Sequence, residues 1–201
     1  MLGKLFIISA PSGAGKTSLL TAAHNQLASL SVAVSHTTRQ ARPGEVDGEH
    51  YNFISADSFS KMVTNGDFVE HAEVFGNCYG TSRQAINLLL ESGKDVVLEI
   101  DWQGARQIRA SYPEAISIFI LPPSLSALEE RLTSRGQDSD QVIAGRMSAA
   151  KKEIAHYDEY DHILINDNFE QALQVLIQLL QTPETAIPPE KTALDALLHD
   201  L

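Results

Sequence analysis

Cysteine is almost absent from this sequence, since Cys78 is the only one among its 201 residues. A single cysteine cannot form an internal disulfide, and a chain without disulfides is typical of a reducing compartment. The seven histidines show neither an HExxH motif nor the paired Cys/His spacing of metal sites. The sequence therefore predicts neither a disulfide framework nor a transition-metal centre.

Long hydrophobic runs are missing as well. No segment approaches the ~20 apolar residues that a membrane-spanning helix needs. The apolar run at 5–8 is too short for the hydrophobic region of a signal peptide. We therefore expect a soluble, cytoplasmic protein that does not bind membranes.

Positive charge is scarce, because 15 Lys and Arg residues stand against 26 Asp and Glu residues and give a net charge of -11. Nucleic acids and anionic membrane surfaces attract proteins with an excess of Lys and Arg, so this balance argues against both as partners. A smaller anion would have to be bound by a few basic residues placed together.

Short apolar runs alternate with helical patterns along most of the chain. Buried strands are predicted at 4–9, 95–101, 115–121 and 162–166. Helices are predicted at 17–30, 83–92, 102–110, 124–134, 139–157 and 169–181. Strands that alternate with helices favour one α/β domain with a parallel sheet and crossover helices.

Three segments depart from this alternation. Residues 32–80 are rich in Thr, Gly and β-forming residues and predict a small β-rich insertion with one helix near 56–65. The Arg-rich segment 131–146 predicts a second, helical insertion. The tail from Thr182 contains three prolines and ends in a short apolar stripe, for which a frayed end and a partner contact are both open.

The sequence APSGAGKT, at 10–17, separates the first predicted strand from the first predicted helix. It matches a phosphate-binding loop, with Ala10 in place of the first glycine. Its glycines let backbone N–H groups converge on phosphate oxygens, and the helix adds the positive end of its dipole. Lys16 could then reach the β- and γ-phosphates of a nucleotide, and the Thr17 hydroxyl could bind Mg²⁺. The alternative is a glycine-rich turn that only links strand to helix.

A pair of arginines follows in the β-rich segment. Arg39 and Arg42 are three residues apart, and Tyr51 is near them in the sequence. Two guanidinium groups can clamp a second phosphate through bidentate hydrogen bonds. The alternative is two solvated surface arginines.

Glu70 precedes two hydroxyl residues, Tyr79 and Thr81. A carboxylate beside hydroxyls suits the edge of guanine that carries the N1–H and N2–H₂ donors. Taken alone, however, the local sequence favours the alternative that Glu70 is an exposed strand residue.

Arginines also cluster late in the chain. Arg131 and Arg135 are four residues apart and therefore share a helix face, and Arg146 follows them in the sequence. Such a cluster can neutralise the charge on a phosphoryl group during transfer, and a solvated face paired with neighbouring acids is the alternative.

Glu99 and Asp101 end a predicted central strand, a position that suits a contact to Mg²⁺ or to substrate.

Six segments occur in the order and spacing found in bacterial guanylate kinases: SAPSGAGKT, SHTTRQARPGEVDGEHYNF, FVEHAEVFGNCYGTSR, LEIDWQG, IFILPPS and RLTSRGQD. The sequence resembles this family over roughly residues 3–181. The resemblance implies an ATP:GMP phosphotransferase with a P-loop NTPase-type parallel sheet flanked by helices. It implies a core at 1–31, 82–130 and 150–181, a β-rich GMP-binding region at 32–81, a helical lid at 131–149 and a tail at 182–201.

The resemblance also implies roles for individual residues. ATP would bind at Ser12, Gly13, Ala14, Gly15, Lys16, Thr17, Ser18 and Asn166. GMP would bind at Ser35, Arg39, Arg42, Tyr51, Glu70, Tyr79, Thr81 and Asp101. Catalysis would fall to Lys16, Arg131, Arg135 and Arg146, and the Mg²⁺ that accompanies ATP would be held by Thr17 and Asp101.

Two other functions are kept as alternatives. A guanylate-kinase-like scaffold module would bind phosphopeptides without catalysis, and we would expect it to have lost the Gly-Lys-Thr sequence or the late arginines. A related kinase for a sugar phosphate would not need Glu70 and the hydroxyls around it. Assembly into a homo-oligomer is left open.

Overall fold

The computed structural model describes residues 2–74, 76–134 and 139–185, together with Pro189, Leu194 and Leu197. The strands are β1 (Leu5–Ser9), β2 (Leu30–Val32), β3 (His36–Thr37), β4 (Asn52–Phe53), β5 (Phe68–Val74), β6 (Asn77–Ser82), β7 (Asp95–Glu99), β8 (Ile116–Leu121) and β9 (His162–Ile165). The α-helices are α1 (Lys16–Gln26), α2 (Ala56–Asn65), α3 (Arg83–Glu91), α4 (Trp102–Ser111), α5 (Leu125–Ser134), α6 (Asp140–Ile154) and α7 (Phe169–Gln181). Short 3₁₀ helices occupy Tyr157–Glu159 and Pro183–Thr185.

Five strands form one sheet in the order β2-β7-β1-β8-β9. Strand β2 runs parallel to β7, and β8 runs parallel to β9. All five residues of β1 are buried, as expected for a central strand that is covered on both faces. This is the α/β architecture with a parallel sheet that the alternation of strands and helices predicts.

The chain divides into two compact units. The first unit comprises Met1–Ile7 and Ser29–Ala115 and contains β2, β7, a second sheet and helices α2 to α4. The second unit comprises Ile8–Ala28 and Ile116–Leu201 and contains α1, β8, β9 and helices α5 to α7. The boundaries of the core, the GMP-binding region and the lid remain predictions from the sequence.

The second sheet of the first unit has the strand order β4-β3-β6-β5. Strand β6 is antiparallel to both β5 and β3, and β3 is parallel to β4. Helix α2 begins after Ser55, whose side chain accepts a hydrogen bond from the N–H of Ser58, and its residue Phe59 packs on Phe68 of β5. The β-rich character and the single helix predicted for this segment are therefore present.

In the second unit, α7 presents a continuous apolar face. Its buried residues are Ala172, Leu173, Leu176, Leu179 and Leu180. This spacing of three and four residues is that of a helix with one side against a core. The side chain of Asn168 caps the helix by accepting a hydrogen bond from the N–H of Gln171, so the helix begins where the sequence predicts.

Most predicted elements agree with the structure to within two residues, and two differ more. The helix predicted at 17–30 ends at Gln26, because Leu27 turns to extended dihedral angles and Leu30 enters β2, where it pairs with Asp95. The helix predicted to reach residue 157 ends at Ile154 and is followed by a 3₁₀ turn. The apolar stripe predicted for the tail lies largely outside the described residues. Among the described residues, no helix is long and apolar enough to span a membrane.

Candidate active site

The phosphate-loop motif lies in the second unit, between the end of β1 and the first turn of α1. Five other helices begin with a side chain that accepts a hydrogen bond from a backbone N–H, whereas α1, which follows Gly15, has no such cap, and neither has α6. The first N–H groups of a helix lack partners within the helix, and an uncapped amino end suits an anion. The start of α1 is therefore compatible with the predicted phosphate site.

Gly15 is required in this loop for two reasons. Its φ of 92° lies in the left-handed region, which residues with a side chain rarely adopt. A Cβ at this position would also lie 2.5 Å from Nδ2 of Asn166. The same Nδ2 donates a hydrogen bond of 2.7 Å to the carbonyl of Ala14, so Asn166 holds the loop from the end of β9.

Arg131, on α5, contacts Asn166 from another direction. Its Nη2 donates a hydrogen bond of 2.8 Å to the backbone carbonyl of Asn166. Its Nη1 is shielded from solvent and has no hydrogen-bond partner among the described residues. A buried donor without a partner is costly, and an anion beside it would satisfy it. Arg131 is therefore fixed at one nitrogen and available to a ligand at the other.

Ser12 joins the loop to α6 through two contacts. Its hydroxyl oxygen accepts a hydrogen bond of 2.7 Å from Nη2 of Arg146. Its backbone N–H donates to a carboxylate oxygen of Glu153 at 3.2 Å. Arg146 and Glu153 are seven residues apart, so they lie on the same face of α6. This face of α6 thus packs directly against the phosphate loop.

Three predicted ligands lie in the first turn of α1. Lys16 is half-buried, and the side chains of Thr17 and Ser18 are exposed. Arg135, which the sequence also predicts as catalytic, lies outside the described residues.

Glu70 lies in the first unit and is buried, with 3% of its surface exposed. The expectation from the local sequence that it would be an exposed strand residue is therefore wrong. Helix α4 packs over the face of β5 to which Glu70 belongs. A Cβ on Gly104 of α4 would lie 2.8 Å from Oε2 of Glu70, so this close approach requires a glycine.

A chain of hydroxyl groups holds the Glu70 carboxylate. Glu70 and Thr81 are paired across the β5–β6 hairpin, and Oγ1 of Thr81 donates a hydrogen bond of 2.5 Å to Oε1 of Glu70. The Ser35 hydroxyl lies 3.0 Å from the same Oγ1. Since Thr81 has only one hydroxyl hydrogen and gives it to Glu70, Ser35 is the donor to Thr81. The ionised carboxylate is thereby fixed at Oε1.

The environment of Glu70 disfavours its charge. Burial raises the pKa of Glu70 to about 7, although the hydrogen bond from Thr81 acts in the opposite direction, and the negative charge of Asp101 raises the pKa further. Asp101 itself caps α4, because its Oδ1 accepts a hydrogen bond of 2.9 Å from the N–H of Gly104. Its Oδ2 accepts a weaker one, of 3.2 Å, from Nε2 of Gln103.

The Arg39 side chain is mostly buried, with 13% exposed, so the alternative of a solvated surface arginine is wrong for this residue. Its Nη1 and Nη2 each lie 2.9 Å from an oxygen of Glu45. The ring of Tyr51 lies against the guanidinium, with its centre 5.4 Å from Cζ, and the rings of Tyr51 and Tyr79 are 5.9 Å apart. Arg42, in contrast, is exposed.

A family model described as guanylate kinase matches residues 2–183 of the chain. The chain belongs to the guanylate kinase family. It is similar to the guanylate kinase of Chromohalobacter salexigens, with 54% identity over 92% of this chain and 86% of that protein, and to that of Escherichia coli K12, with 53% identity over 99% and 97%. The crystal structure of guanylate kinase from Anaplasma phagocytophilum is similar with a TM-score of 0.74 and 32% identity, over 92% of this chain and 87% of that one.

In this guanylate kinase, each unit brings together a different set of the predicted residues. The second unit joins Ser12 to Arg146, and joins Ala14 and Arg131 to Asn166. The first unit joins Ser35, Thr81 and Glu70 through consecutive hydrogen bonds. Asp101 lies close enough to Glu70 to raise its pKa. The same unit places Arg39 beside Tyr51 and Tyr79. Which of these residues contact a nucleotide remains a prediction.

Sequence reasoning missed three residues that shape these sets. Glu45 follows Arg42 by three residues and is the acidic partner of Arg39. Glu153 follows Arg146 by seven, a helical spacing that could have shown their common face. Gly104 follows Asp101 by three, and only the packing of α4 on Glu70 reveals why it is a glycine.

Proposed function

We propose that this protein transfers the γ-phosphate of ATP to GMP or dGMP, giving ADP and the corresponding diphosphate, in cytoplasmic purine nucleotide metabolism. The observation that carries the proposal is the buried carboxylate of Glu70, which is held at one oxygen by Thr81. Guanine presents two donors, N1–H and N2–H₂, that one carboxylate can accept together. Adenine presents an acceptor at N1 and would face the carboxylate with acceptor against acceptor. The deoxy form of GMP keeps both the base and the phosphate, so it is accepted as well.

The donor nucleotide binds to the second unit in this proposal. The backbone N–H groups of the loop and the uncapped start of α1 bind phosphate oxygens, and Lys16 reaches the β- and γ-phosphates. The solvent-shielded Nη1 of Arg131 supplies a further positive donor. Arg146 lies beside the loop, because its Nη2 donates a hydrogen bond to the hydroxyl of Ser12. Arg135 takes part from outside the described residues.

The acceptor phosphate binds to Arg39 and Arg42, with Tyr51 and Tyr79 beside them. Guanidinium groups bind phosphate through paired, charge-assisted hydrogen bonds. A phosphate monoester has its second pKa near 6, so an oxygen of GMP is already an anion at neutral pH, and the attack needs no strong general base. This agrees with the absence of a histidine from the residues assigned to the acceptor site.

Magnesium fits the residues that the sequence assigns to it. Among the described residues, no group of three or more Asp, Glu, Cys or His side chains is placed so that it could hold a metal ion. Mg²⁺ in kinases typically uses one or two protein groups together with nucleotide phosphates and waters, and a hydroxyl and a carboxylate are oxygen ligands of the kind that it prefers. When bound with ATP, the ion would neutralise phosphate charge.

Catalysis in this proposal comes from alignment and from neutralisation of charge. Lys16 and the arginines offset the negative charge of the phosphates that react, and each binding set orients its own nucleotide. We include the segment 131–149 as a helical lid that excludes water and so suppresses hydrolysis of ATP.

The proposal is tested by measuring ADP release from ATP with GMP, dGMP, AMP, CMP and UMP as acceptors. We expect activity with GMP and dGMP, and a preference over AMP on the order of 10⁴ in kcat/KM. Lack of ADP release with every nucleotide would favour the phosphopeptide-binding module. Equal rates with GMP and AMP would show that Glu70 does not recognise the base.

A further inference from the structure

Glu45 contacts both arginines of the acceptor site. Its two carboxylate oxygens accept hydrogen bonds of 2.9 Å from Nη1 and Nη2 of Arg39. Its Oε2 also accepts a hydrogen bond of 2.7 Å from the backbone N–H of Arg42. A single side chain therefore fixes the head of one arginine and the backbone of the other.

The contacts with Glu45 use only one side of the Arg39 guanidinium. A guanidinium carries five N–H groups, and its end and its side can each bind an oxyanion in a bidentate manner. Glu45 occupies the end, and Nη1 also donates to the carbonyl of Gln40 at 2.7 Å. Tyr79 also forms a side-chain hydrogen bond with this guanidinium. On the side formed by Nε and Nη2, Nε is shielded from solvent without a hydrogen-bond partner in the described chain. An oxyanion on this side would supply that partner.

The orientation of Arg39 is restricted further by aromatic rings. The ring centres of Tyr51 and Phe53 lie 5.4 Å and 5.7 Å from its Cζ, within the range of a cation–π contact. The side chains of Arg39 and Glu45 are 13% and 18% exposed, so the pair is largely withdrawn from water. A guanidinium held in this way loses little conformational entropy when a phosphate arrives.

We propose that Glu45 is a positioning residue of the acceptor site, which orients the Arg39 guanidinium and the Arg42 backbone so that the side of Arg39 formed by Nε and Nη2 meets the phosphate of GMP. This inference rests on the proposed function of the two arginines. The opposite hypothesis is that Glu45 competes with the phosphate for Arg39, because both are anions. The two hypotheses predict opposite changes in the affinity for GMP when Glu45 is replaced.

The test compares Glu45→Ala and Glu45→Gln with the wild type, in assays that vary GMP and ATP separately. We expect Glu45→Ala to raise the KM for GMP about 10- to 100-fold, the range for loss of charge-assisted hydrogen bonds, while the KM for ATP changes less than about twofold. Glu45→Gln keeps one acceptor oxygen and should show a smaller increase. Glu49→Gln removes an exposed carboxylate from the same segment and should leave both constants unchanged.

Guanosine, used as a competitive inhibitor of GMP, separates positioning from general damage. It carries the base without a phosphate, so its inhibition constant should be the same in Glu45→Ala and in the wild type. A rise in this constant together with the KM for GMP would overturn the inference, as would an unchanged or lower KM for GMP. Should Glu45→Ala fail to fold, the same criteria apply to Glu45→Gln.

Arg39→Ala distinguishes failure of this inference from failure of the proposed function. If Arg39→Ala leaves the KM for GMP unaltered, the assignment of the acceptor site is wrong, and the inference fails with it. If Arg39→Ala raises that constant and the Glu45 variants do not, only the positioning role of Glu45 is overturned.

Discussion

Oγ1 of Thr81 lies 2.5 Å from Oε1 of Glu70, across the hairpin that β5 and β6 form. The hydroxyl of Ser35 stands behind Thr81, so donation runs from Ser35 through Thr81 to the carboxylate. A buried carboxylate that is satisfied at one oxygen and backed by such a chain keeps one orientation. Its other oxygen, Oε2, lies beside Gly104 of α4.

Replacement of Glu70 by Gln should reduce the preference for guanine. The amide replaces one accepting oxygen with a donor and removes the charge, so GMP should lose roughly 2–4 kcal/mol of transition-state binding. The measurement is the ratio of kcat/KM for GMP to that for AMP in the wild type and in the variant. An unaltered ratio would mean that Ser35, Thr81 or backbone groups recognise the base instead.

The affinity for GMP should fall as the pH is lowered through 7. Burial raises the pKa of Glu70 to about 7, and guanine requires the ionised form. With such a pKa, the KM for GMP should rise about tenfold between pH 8 and pH 6. The phosphate of GMP titrates near pH 6 as well, so Glu70→Gln, which keeps that contribution and lacks the carboxylate, is the matched control.

The same pKa has a defined effect on folding. An acid whose pKa is higher in the folded state than in the unfolded state stabilises the fold only while it is protonated. Between the ordinary value of 4.5 and about 7, the wild type should therefore lose stability relative to Glu70→Gln as the pH rises. Thermal unfolding of both proteins across this range checks the sign, and parallel curves would contradict it.

Lys16→Ala should abolish phosphoryl transfer without unfolding the protein. Lys16 begins α1 and is only half-buried, so its loss opens no large cavity. Loss of a positive charge at the phosphates that react should lower kcat by about 10³-fold or more. Lys61→Ala, in the exposed part of α2, serves as the control, and near wild-type turnover of Lys16→Ala would mean that the loop has been misinterpreted.

Gly104→Ala should weaken the recognition of GMP. A methyl group at this position would lie 2.8 Å from Oε2 of Glu70 and would displace the carboxylate or α4. We expect a rise in the KM for GMP of about tenfold or more, comparable to loss of one hydrogen bond to a charged group. Gly145→Ala in α6, where a methyl group meets nothing within 4 Å, should leave that constant unchanged and stabilise the helix by about 1 kcal/mol. Equal effects of the two substitutions would contradict the steric argument.

The main elements could be predicted because their signals are local. The apolar run of β1 and the helical spacing of Leu173, Leu176 and Leu180 in α7 each point to one structure without knowledge of the rest of the chain. Leu30 shows where this fails, since it continues the apolar spacing of α1 and yet belongs to β2. Its position depends on pairing with Asp95, which is 65 residues away in the sequence.

The candidate site could be predicted in its residue types and only partly in its geometry. The phosphate loop and the arginine pair are visible as motifs, because their spacing is a property of the sequence. The burial of Glu70 depends on α4 packing over β5, and the pairing of Arg39 with Glu45 depends on the fold of the intervening loop. Contacts of this kind arise only when the chain is folded, so a sequence pattern does not reveal them.

Asn166 makes hydrogen bonds to three separate parts of the second unit. Its backbone N–H donates to Leu121 of β8, its side chain donates to Ala14 in the phosphate loop, and its carbonyl accepts from Arg131 of α5. The loop therefore cannot open locally without loosening the end of β9. Anything that binds the loop must then slow the exchange of amide hydrogens with solvent in β9, a strand that lies outside the motif. Binding at the loop and the local stability of β9 are therefore thermodynamically linked through Asn166.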